Sequence, residues 1–239
     1  MKHTMAKGQR YVAHYDRAAK VKVEVEIAKL VIQRYVERRQ QGASRGTGTI
    51  WNAASRNIIS MSLDGDDIDK LYGALRYSQL VPIVFPRWRL RVYVSSVALN
   101  DTGSHRVLRI LVKKLEYSGV EVFRVRGLTA ARIPAELWAY LVADDSEVDR
   151  FVVRNSDTRP SDREAAALDD WLQANLTVKA LYCIRDHPLH AVQSVVPGLV
   201  GGVPRLLRNT TGTTFHKLMR GHKSVVGFLH DTIWPLLKG

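Results

Sequence analysis

The sequence predicts an α/β protein with a Rossmann-like, mostly parallel central sheet and helices on both faces. From residue 57 onward, short apolar runs alternate with amphipathic segments of about 10 to 15 residues. Strands that alternate with helices in this way are joined by crossover connections, which make the strands parallel. The 239 residues are 46% hydrophobic, which is enough for one sizeable core.

The predicted strands are short and rich in Val, Ile, Leu and Tyr, which favours β structure. The clearest case is residues 88–94, where Trp88, Leu90, Val92 and Val94 fall on one face of a strand. We predict five strands, at residues 57–63, 88–94, 120–125, 148–153 and 178–184.

The segments between these strands have helical spacing and recognisable ends. Gly119 is a helix stop, and Ser161 followed by Glu164 is a capping-box pattern. We predict helices at residues 68–82, 104–118, 135–143 and 161–174. The pattern weakens beyond Pro188: the glycines near residue 200 predict a loop, and residues 213–237 predict a final helix.

The first 49 residues predict an N-terminal helical extension, separate from an α/β domain at residues 50–239. Residues 1–17 are polar and basic, and residues 18–41 place apolar side chains at three- to four-residue spacing, as an amphipathic helix does. The alternation of apolar residues from Val21 to Ile27 also permits a strand at the start of this segment. Residues 42–49 have the composition of a linker. The apolar stripe of the helix either packs back on the domain or joins two copies in a homo-oligomer.

The formal net charge of +13 is concentrated at the two ends of the chain. Residues 1–46 carry 11 Lys or Arg and 4 Asp or Glu, and residues 201–239 carry 6 and 1. The part between them is almost neutral. Basic ends indicate an anionic partner, such as nucleic acid, another polyanion or a diphosphate ligand, or else they only maintain solubility.

Several classes of protein are excluded by composition. The single cysteine, Cys183, allows neither an intramolecular disulfide nor a cysteine-based zinc site. No apolar stretch is long enough to cross a bilayer, and no signal peptide is recognisable at the N-terminus. The expectation is a cytoplasmic protein.

Polar side chains follow two successive predicted strands. Asn155 and Asp157 come directly after the strand at 148–153, and Asp186 and His187 follow the strand at 178–184. Ligands of such sheets bind at the carboxyl ends of the strands. Carboxylate and amide oxygens suit Mn²⁺ or Mg²⁺, so Asp157 and Asn155 are the candidate metal ligands.

The neighbouring basic and titratable residues have roles in this interpretation. Arg154, Arg159 and Arg185 are candidates for holding phosphate groups. Asp186 is a candidate general base, and His187 and His190 are candidates for binding diphosphate or metal. The structural alternative is that the first junction is a turn with Ser161 capping the next helix, and that the histidines serve only the second turn.

Residues 57–94, 137–188 and 228–238 resemble a group of glycosyltransferase-like proteins with the nucleotide-diphospho-sugar transferase (GT-A-type) fold. The most specific pieces are Asp162-Arg163-Glu164 before a helix and Arg185-Asp186-His187-Pro188 after a strand. The resemblance covers most of the chain from residue 57 to 238. It implies a nucleotide-sugar donor, an unknown acceptor and a divalent metal.

Position by position, the resemblance places Asn155 and Asp157 on an Asp-x-Asp-like metal motif, and Asp186, His187 and His190 on the second polar junction. Three positions depart from the family's pattern. Asn155 stands where the first Asp is usual, residues 197–202 replace a Gly-Gly-Met-Trp-Gly stretch, and residues 223–227 replace an Asp-Gln.

Two functions are therefore carried forward. The first is metal-dependent transfer of a sugar from a nucleotide-diphosphate donor, with Asp186 and His187 as catalytic residues. The alternative is a degenerate transferase scaffold without activity, which acts as a structural protein or binds nucleic acid or another polyanion through its basic ends. The three departures touch presumed site positions and, together with the basic ends, motivate the alternative.

Overall fold

A mixed sheet of six strands is the centre of the fold in this computed structural model, which describes residues 56–63, 68–96, 106–173, 180–184 and 200–235. The strands run in the order β3-β2-β1-β4-β6-β5. β1, β2, β3 and β4 are mutually parallel, and β6 is antiparallel to both of its neighbours. The strands are β1 (Asn57–Leu63), β2 (Arg89–Ser95), β3 (Glu121–Val125), β4 (Arg150–Val153), β5 (Leu181–Cys183) and β6 (Val200–Gly202). The predicted α/β class and mostly parallel sheet are confirmed.

Helices of three kinds connect the strands. The first four predicted helical segments are all present, although one of them is a 3₁₀ helix, and the short α3 was not predicted. The elements are α1 (Ile68–Val84), α2 (Arg106–Tyr117), α3 (Gly127–Arg132), the 3₁₀ segment (Ala135–Asp144), α4 (Asp162–Gln173), α5 (Pro204–Thr211), α6 (Phe215–Leu218), α7 (Val225–Phe228) and a π turn (Leu229–Ile233). None of the helices in the described part of the chain is long and apolar enough to cross a membrane.

Two apolar cores cover the two faces of the sheet, as alternation along the strands requires. In β1, Ile59 and Met61 face the core that includes side chains of α1, α2 and α4, while Ile58 faces the core built with the 3₁₀ segment and the C-terminal helices. The predicted face of β2, which includes Leu90 and Val92, lies in the first core. Helices on both faces are therefore confirmed.

The 3₁₀ segment differs from the α-helix expected at residues 135–143 because β1 binds its backbone. The Ser60 hydroxyl donates to the carbonyl oxygen of Ala139 at 2.6 Å. The Ala139 N–H donates to the Ser62 hydroxyl at 2.9 Å. Groups that an α-helix would pair internally are paired with the sheet, and the chain winds more tightly.

The C-terminal part of the chain contains two corrections to the sequence predictions. The predicted loop at residues 198–202 is a strand in part, because Gly201 and Gly202 form β6 in the interior of the sheet. A Cβ on Gly201 would lie 2.4 Å from the carbonyl oxygen of Phe151, so the strand can enter only without side chains there. The predicted final helix at residues 213–237 is wrong as one element, since it is interrupted at Gly221, whose φ is +89°.

A buried ion network lies near the amino-terminal ends of the strands. Arg91 on β2 is fully buried, and its guanidinium pairs with Glu121 and with Asp145, each at 2.8 Å. Arg56 also reaches Glu121, at 3.1 Å. A buried charge without partners would be costly, so the two carboxylates are what permits an arginine in this strand.

All described residues belong to one compact unit, Asn52–Gly239. The predicted basic arm, the helix at 18–41 with its alternative of a homo-oligomer, and the linker at 42–49 lie outside the described residues.

Candidate functional site

The strand order reverses between β1 and β4, which makes this the switch point of the sheet. From β1 the chain builds β2 and β3 to one side, and then β4 to the other. In doubly wound sheets the ligand crevice lies outside the carboxyl ends of the strands at such a point. A cleft of about 440 Å³ opens there, and we call it the switch-point cleft. Its lining includes Ser62, Lys70, Glu136, Asn155, Asp157 and Val226.

The turn that follows β4 carries two of the predicted site residues into this cleft. Arg154 extends the strand by one more bond, from its N–H to the carbonyl oxygen of Ser60 at 2.9 Å. The chain then turns, and the carbonyl oxygen of Asn155 accepts from the Thr158 hydroxyl at 2.7 Å. Asn155 and Asp157 are exposed, while Ser156 between them is buried. Both candidate metal ligands therefore lie on the cleft side of one ordered turn.

Arg154 lines the switch-point cleft, but its guanidinium is engaged in holding the turn. Its Nη2 lies 3.0 Å from a carboxylate oxygen of Glu164 and donates to the carbonyl oxygen of Arg159 at 3.3 Å. Its Nε donates to the Tyr77 hydroxyl at 3.1 Å. Burial raises the pKa of Tyr77 to about 12, so the hydroxyl stays neutral near neutral pH. The assignment of Arg154 to a diphosphate remains a prediction, and its visible role is to fix the turn.

The start of α4 confirms part of the capping alternative. The Ser161 hydroxyl accepts from the Glu164 N–H at 3.2 Å, as an N-cap does. The Glu164 side chain is buried and points to Arg154. Ser161, and not Asp157, therefore serves as the cap, and Asp157 remains in the cleft lining.

A glycine in α1 allows the turn to approach the helix closely. A Cβ on Gly73 would lie 2.0 Å from the carbonyl oxygen of Ser156, closer than real atoms can come. Sequence reasoning overlooked Gly73. An isolated glycine inside a helical pattern often has a packing reason of this kind, and that is the signal that would have identified it.

The switch-point cleft also contains residues that sequence reasoning did not single out. Lys70 comes from the first turn of α1 and Glu136 from the 3₁₀ segment, and both are exposed. Val225 and Val226 come from the C-terminal segment, and Val226 is 53% exposed. Lys70 could have been found, because it lies in the helix that follows β1. Glu136 and the valines could not, because only tertiary packing brings them to this edge.

The second polar junction lies largely outside the described residues. Arg185, Asp186, His187 and His190 all follow β5 in a range that the structure does not describe. β5 itself is aligned with β4 across β6, since Cys183 and Val153 both pair with Val200. Two strand spacings of roughly 4.8 Å each separate β4 from β5, so these strands end at the same edge about 10 Å apart. Arg159 is described and exposed.

The oxygen atoms that line the switch-point cleft suit a hard cation whose coordination shell is completed by a bound substrate. Asp157 and Glu136 supply carboxylates, and Asn155 supplies an amide oxygen. Within the described residues, no group of three or more His, Cys, Asp or Glu side chains is arranged to hold a metal. Mg²⁺ is typically bound by one or two carboxylates together with substrate phosphates. The residues fit that mode of binding.

The solved structures to which this chain is similar include glycosyltransferases. Among similar solved structures is the mannosyltransferase PcManGT from Pyrobaculum calidifontis in complex with GDP-Man and Mn²⁺, at 15% identity and a TM-score of 0.42, over 78% of this chain and 57% of that one. The galactosyltransferase LgtC in complex with donor and acceptor sugar analogs is another, at 14% identity and a TM-score of 0.38, over 64% and 59%. An active-site variant of LgtC gives a TM-score of 0.36 with the same identity and coverage.

The chain spans less than three fifths of the length of these solved proteins. No protein-family model matches the sequence, and a comparison with curated proteins finds no match. At these identities and TM-scores the likeness carries no conclusion about the activity or ligands of this chain.

Proposed function

We propose that this protein is a glycosyltransferase that binds a nucleotide-diphosphate sugar in the switch-point cleft. The observation that carries the proposal is the position of the Asn155–Asp157 turn. It follows β4 directly, at the point where the strand order reverses, and it projects an exposed carboxylate and an exposed amide into the cleft. Ligand sites in doubly wound sheets are expected at this place.

In this proposal the residues of the turn and its surroundings have different roles. Asp157 and Asn155 hold Mn²⁺ or Mg²⁺, which would neutralise charge on the leaving diphosphate. Arg154 fixes the turn through Glu164, so that the exposed oxygens are held in place before ligand arrives. Lys70 and Arg159 supply positive charge for phosphate oxygens. Glu136 lies across the cleft from β4 on the 3₁₀ segment and supplies a further carboxylate.

The second junction completes the proposed machinery. Asp186 acts as the general base toward the acceptor hydroxyl, and His187, His190 and Arg185 bind the diphosphate. The end of β5 at the same edge as β4 is compatible with this assignment. The solved proteins of similar fold include one in complex with GDP-Man and Mn²⁺ and one in complex with donor and acceptor sugar analogs.

Calorimetry of the full chain with UDP- and GDP-sugars, with and without Mn²⁺, tests the proposal. Mn²⁺-dependent binding of a donor is expected, and Asp157→Ala should weaken it by roughly tenfold or more, which corresponds to about 1.4 kcal/mol per decade. Asp170→Ala is the matched control, because Asp170 is an exposed aspartate on α4 outside the cleft lining. If no donor binds, or if Asp157→Ala behaves like the control, the proposal is wrong.

A second candidate function is favoured by the apolar side chains in the switch-point cleft. Val225 and Val226 line it at the place where the resemblance implies a polar pair. A scaffold that has lost turnover but keeps a role in binding a polyanion would show such a replacement. Its binding to single-stranded nucleic acid should fall steeply with salt, because bound phosphates release counterions. A flat salt response, or sugar transfer in a radiolabelled donor assay, would exclude it.

A further inference from the structure

A second cleft, of about 590 Å³, opens at the carboxyl end of β2, and we call it the basic cleft. Its lining includes Ser95, Arg132, Trp138, Gly221, His222 and Lys223. The 3₁₀ segment lies between the two clefts, because it gives Ala135 and Trp138 to the basic cleft and Glu136 and Tyr140 to the switch-point cleft. A molecule in the basic cleft would therefore be a direct neighbour of a donor in the switch-point cleft.

The basic cleft brings together two cations for which the described part of the chain supplies no carboxylate partner. Arg132 and Lys223 are exposed, and neither makes an ion pair or a side-chain hydrogen bond with any residue that the structure describes. Among the described residues that line the cleft there is no carboxylate. The sequence itself contains no Asp or Glu between Asp186 and Asp231, so the C-terminal wall of the cleft comes from an acid-free stretch.

Some arginines elsewhere in the domain are paired with a carboxylate. Arg124 pairs with Glu116, and Arg154 pairs with Glu164. Charge neutralised in this way gives little attraction for an anion, whereas convergent unpaired cations give a local positive potential. This difference distinguishes the basic cleft from the positions of Arg124 and Arg154.

His222 is the third polar residue of the basic cleft, and its side chain is held in place by two contacts. The imidazole Nε2 of His222 lies 3.1 Å from the Thr232 hydroxyl, and its ring packs edge-on against Phe228 at 5.5 Å between centroids. Gly221 precedes it with a φ of +89°, a conformation that glycine adopts without strain. This turn presents His222 and Lys223 together on one wall.

The floor of the basic cleft is apolar and well fixed. Ile133, Pro134 and Trp138 contribute to it, and the Trp138 indole N–H donates to the carbonyl oxygen of Ile133 at 2.9 Å. An apolar floor below a cationic rim suits a ligand with an apolar face and one strongly charged group.

We propose that the basic cleft binds a phosphate monoester, with Arg132 and Lys223 as the residues that hold the phosphate. A guanidinium and an ammonium give charge-assisted hydrogen bonds to phosphate oxygens, and an imidazole can add a third contact. This deepens, and rests on, the proposed glycosyltransferase function: the ligand is the acceptor, and the acceptor class is a phosphorylated molecule whose hydroxyl faces the switch-point cleft.

Titration of the full chain with phenyl phosphate, followed by ³¹P NMR, tests the site, and phenol serves as the uncharged counterpart. Arg132→Gln and Lys223→Gln should each raise the dissociation constant roughly tenfold, as expected for loss of one charge-assisted contact. Arg205→Gln is the matched control, because Arg205 is an exposed arginine on α5 outside the cleft. It should change the constant less than twofold.

The outcomes separate this inference from the proposed function. If Arg132→Gln and Lys223→Gln bind phenyl phosphate as the parent does, or if Arg205→Gln weakens binding equally, the cleft is not a phosphate site. Equal binding of phenol also overturns it. Titrations repeated with Mn²⁺ and UDP present test the neighbouring cleft: if the nucleotide fails to bind while Arg132→Gln still weakens phenyl phosphate, the phosphate site stands and its role as acceptor site falls.

Discussion

Replacing Gly73 by alanine should separate the helix α1 from the turn that carries Asn155 and Asp157. The new Cβ would lie 2.0 Å from the carbonyl oxygen of Ser156, and real Cβ contacts are not shorter than 3.0 Å. The helix and the turn must therefore move apart by at least 1.0 Å, the difference between these distances. Ser156 is buried, so the turn cannot simply relax into solvent.

Two opposing effects set the size of the change in stability. Overpacking of this kind costs roughly 1 to 3 kcal/mol. Alanine in a helix interior is favoured over glycine by about 1 kcal/mol. The difference between these effects leads us to expect that Gly73→Ala lowers the free energy of unfolding by up to about 2 kcal/mol. The displaced turn carries Asp157, and a shift of about 1 Å in a positioned ligand-binding group weakens its contacts strongly. Mn²⁺-dependent donor binding should therefore weaken by roughly tenfold.

Denaturant unfolding and donor calorimetry on the same preparations measure both effects. Gly227→Ala is the control, because a Cβ there would meet its nearest atom, the Ser224 hydroxyl, at 3.4 Å, an ordinary contact. It lies in the helix α7 beside Val226, so it also controls for a change close to the cleft. Gly73→Ala with unchanged stability and unchanged donor affinity would refute the close approach of α1 to the turn.

Three further predictions concern stability. Glu164→Gln should lower the free energy of unfolding, measured with denaturant, by about 3 kcal/mol. The substitution removes the carboxylate that pairs with the mostly buried guanidinium of Arg154. Burial works to raise the pKa of Asp145, but the Glu147 N–H and Arg91 outweigh it, so its pKa lies below the usual value. The ionised Asp145 carboxylate stabilises the fold fully above its unfolded pKa of 3.8, and this stabilisation is lost as the pH falls through the lower folded pKa. Asp145→Asn should therefore lower the free energy of unfolding at neutral pH and approach the parent in acid. Gly201→Ala should lower the melting temperature, since its Cβ would lie 2.4 Å from a backbone oxygen.

Each of these has its own contrary outcome. Asp169→Asn is the control for Glu164→Gln: Asp169 pairs with Arg87 at the exposed surface, so its loss should cost less than about 1 kcal/mol. Equal losses of stability in Glu164→Gln and Asp169→Asn would contradict the importance of the buried pair of Arg154 and Glu164. A stability difference between Asp145→Asn and the parent that persists unchanged in acid would contradict the lowered pKa. A Gly201→Ala variant that melts with the parent would mean that β6 does not lie between its neighbours.

The sheet and its first-face helices could be predicted because their signals are local. Alternation along residues 88–94 gave the correct core face, and Gly119 ends α2 with a φ of +77°, as the stop signal requires. β6 could not be predicted. Gly201 and Gly202 have low strand propensity, and the reason for them is the close approach of Phe151 and Val152, which are distant in sequence.

The place of the turn that carries Asn155 and Asp157 could be predicted as well, and the metal-binding role of these two residues stays a prediction. The strand-end rule placed Asn155 and Asp157 correctly at the switch-point cleft, because the rule needs only the element order. The engagement of Arg154 by Glu164 was missed, since a capping box predicts that the glutamate turns back to its own helix. The resemblance implies a site position at residues 197–202, whereas the structure places Gly201 and Gly202 in the interior of the sheet.

The antiparallel strand β6 has a consequence for how the chain is made. Its partners β4 and β5 are both synthesised earlier, and each must wait with an unsatisfied row of N–H and C=O groups until residues 200–202 arrive. A nascent or truncated chain that ends before β6 would expose the unpaired edges of both β4 and β5. Premature termination here should therefore produce aggregates and not a smaller folded protein.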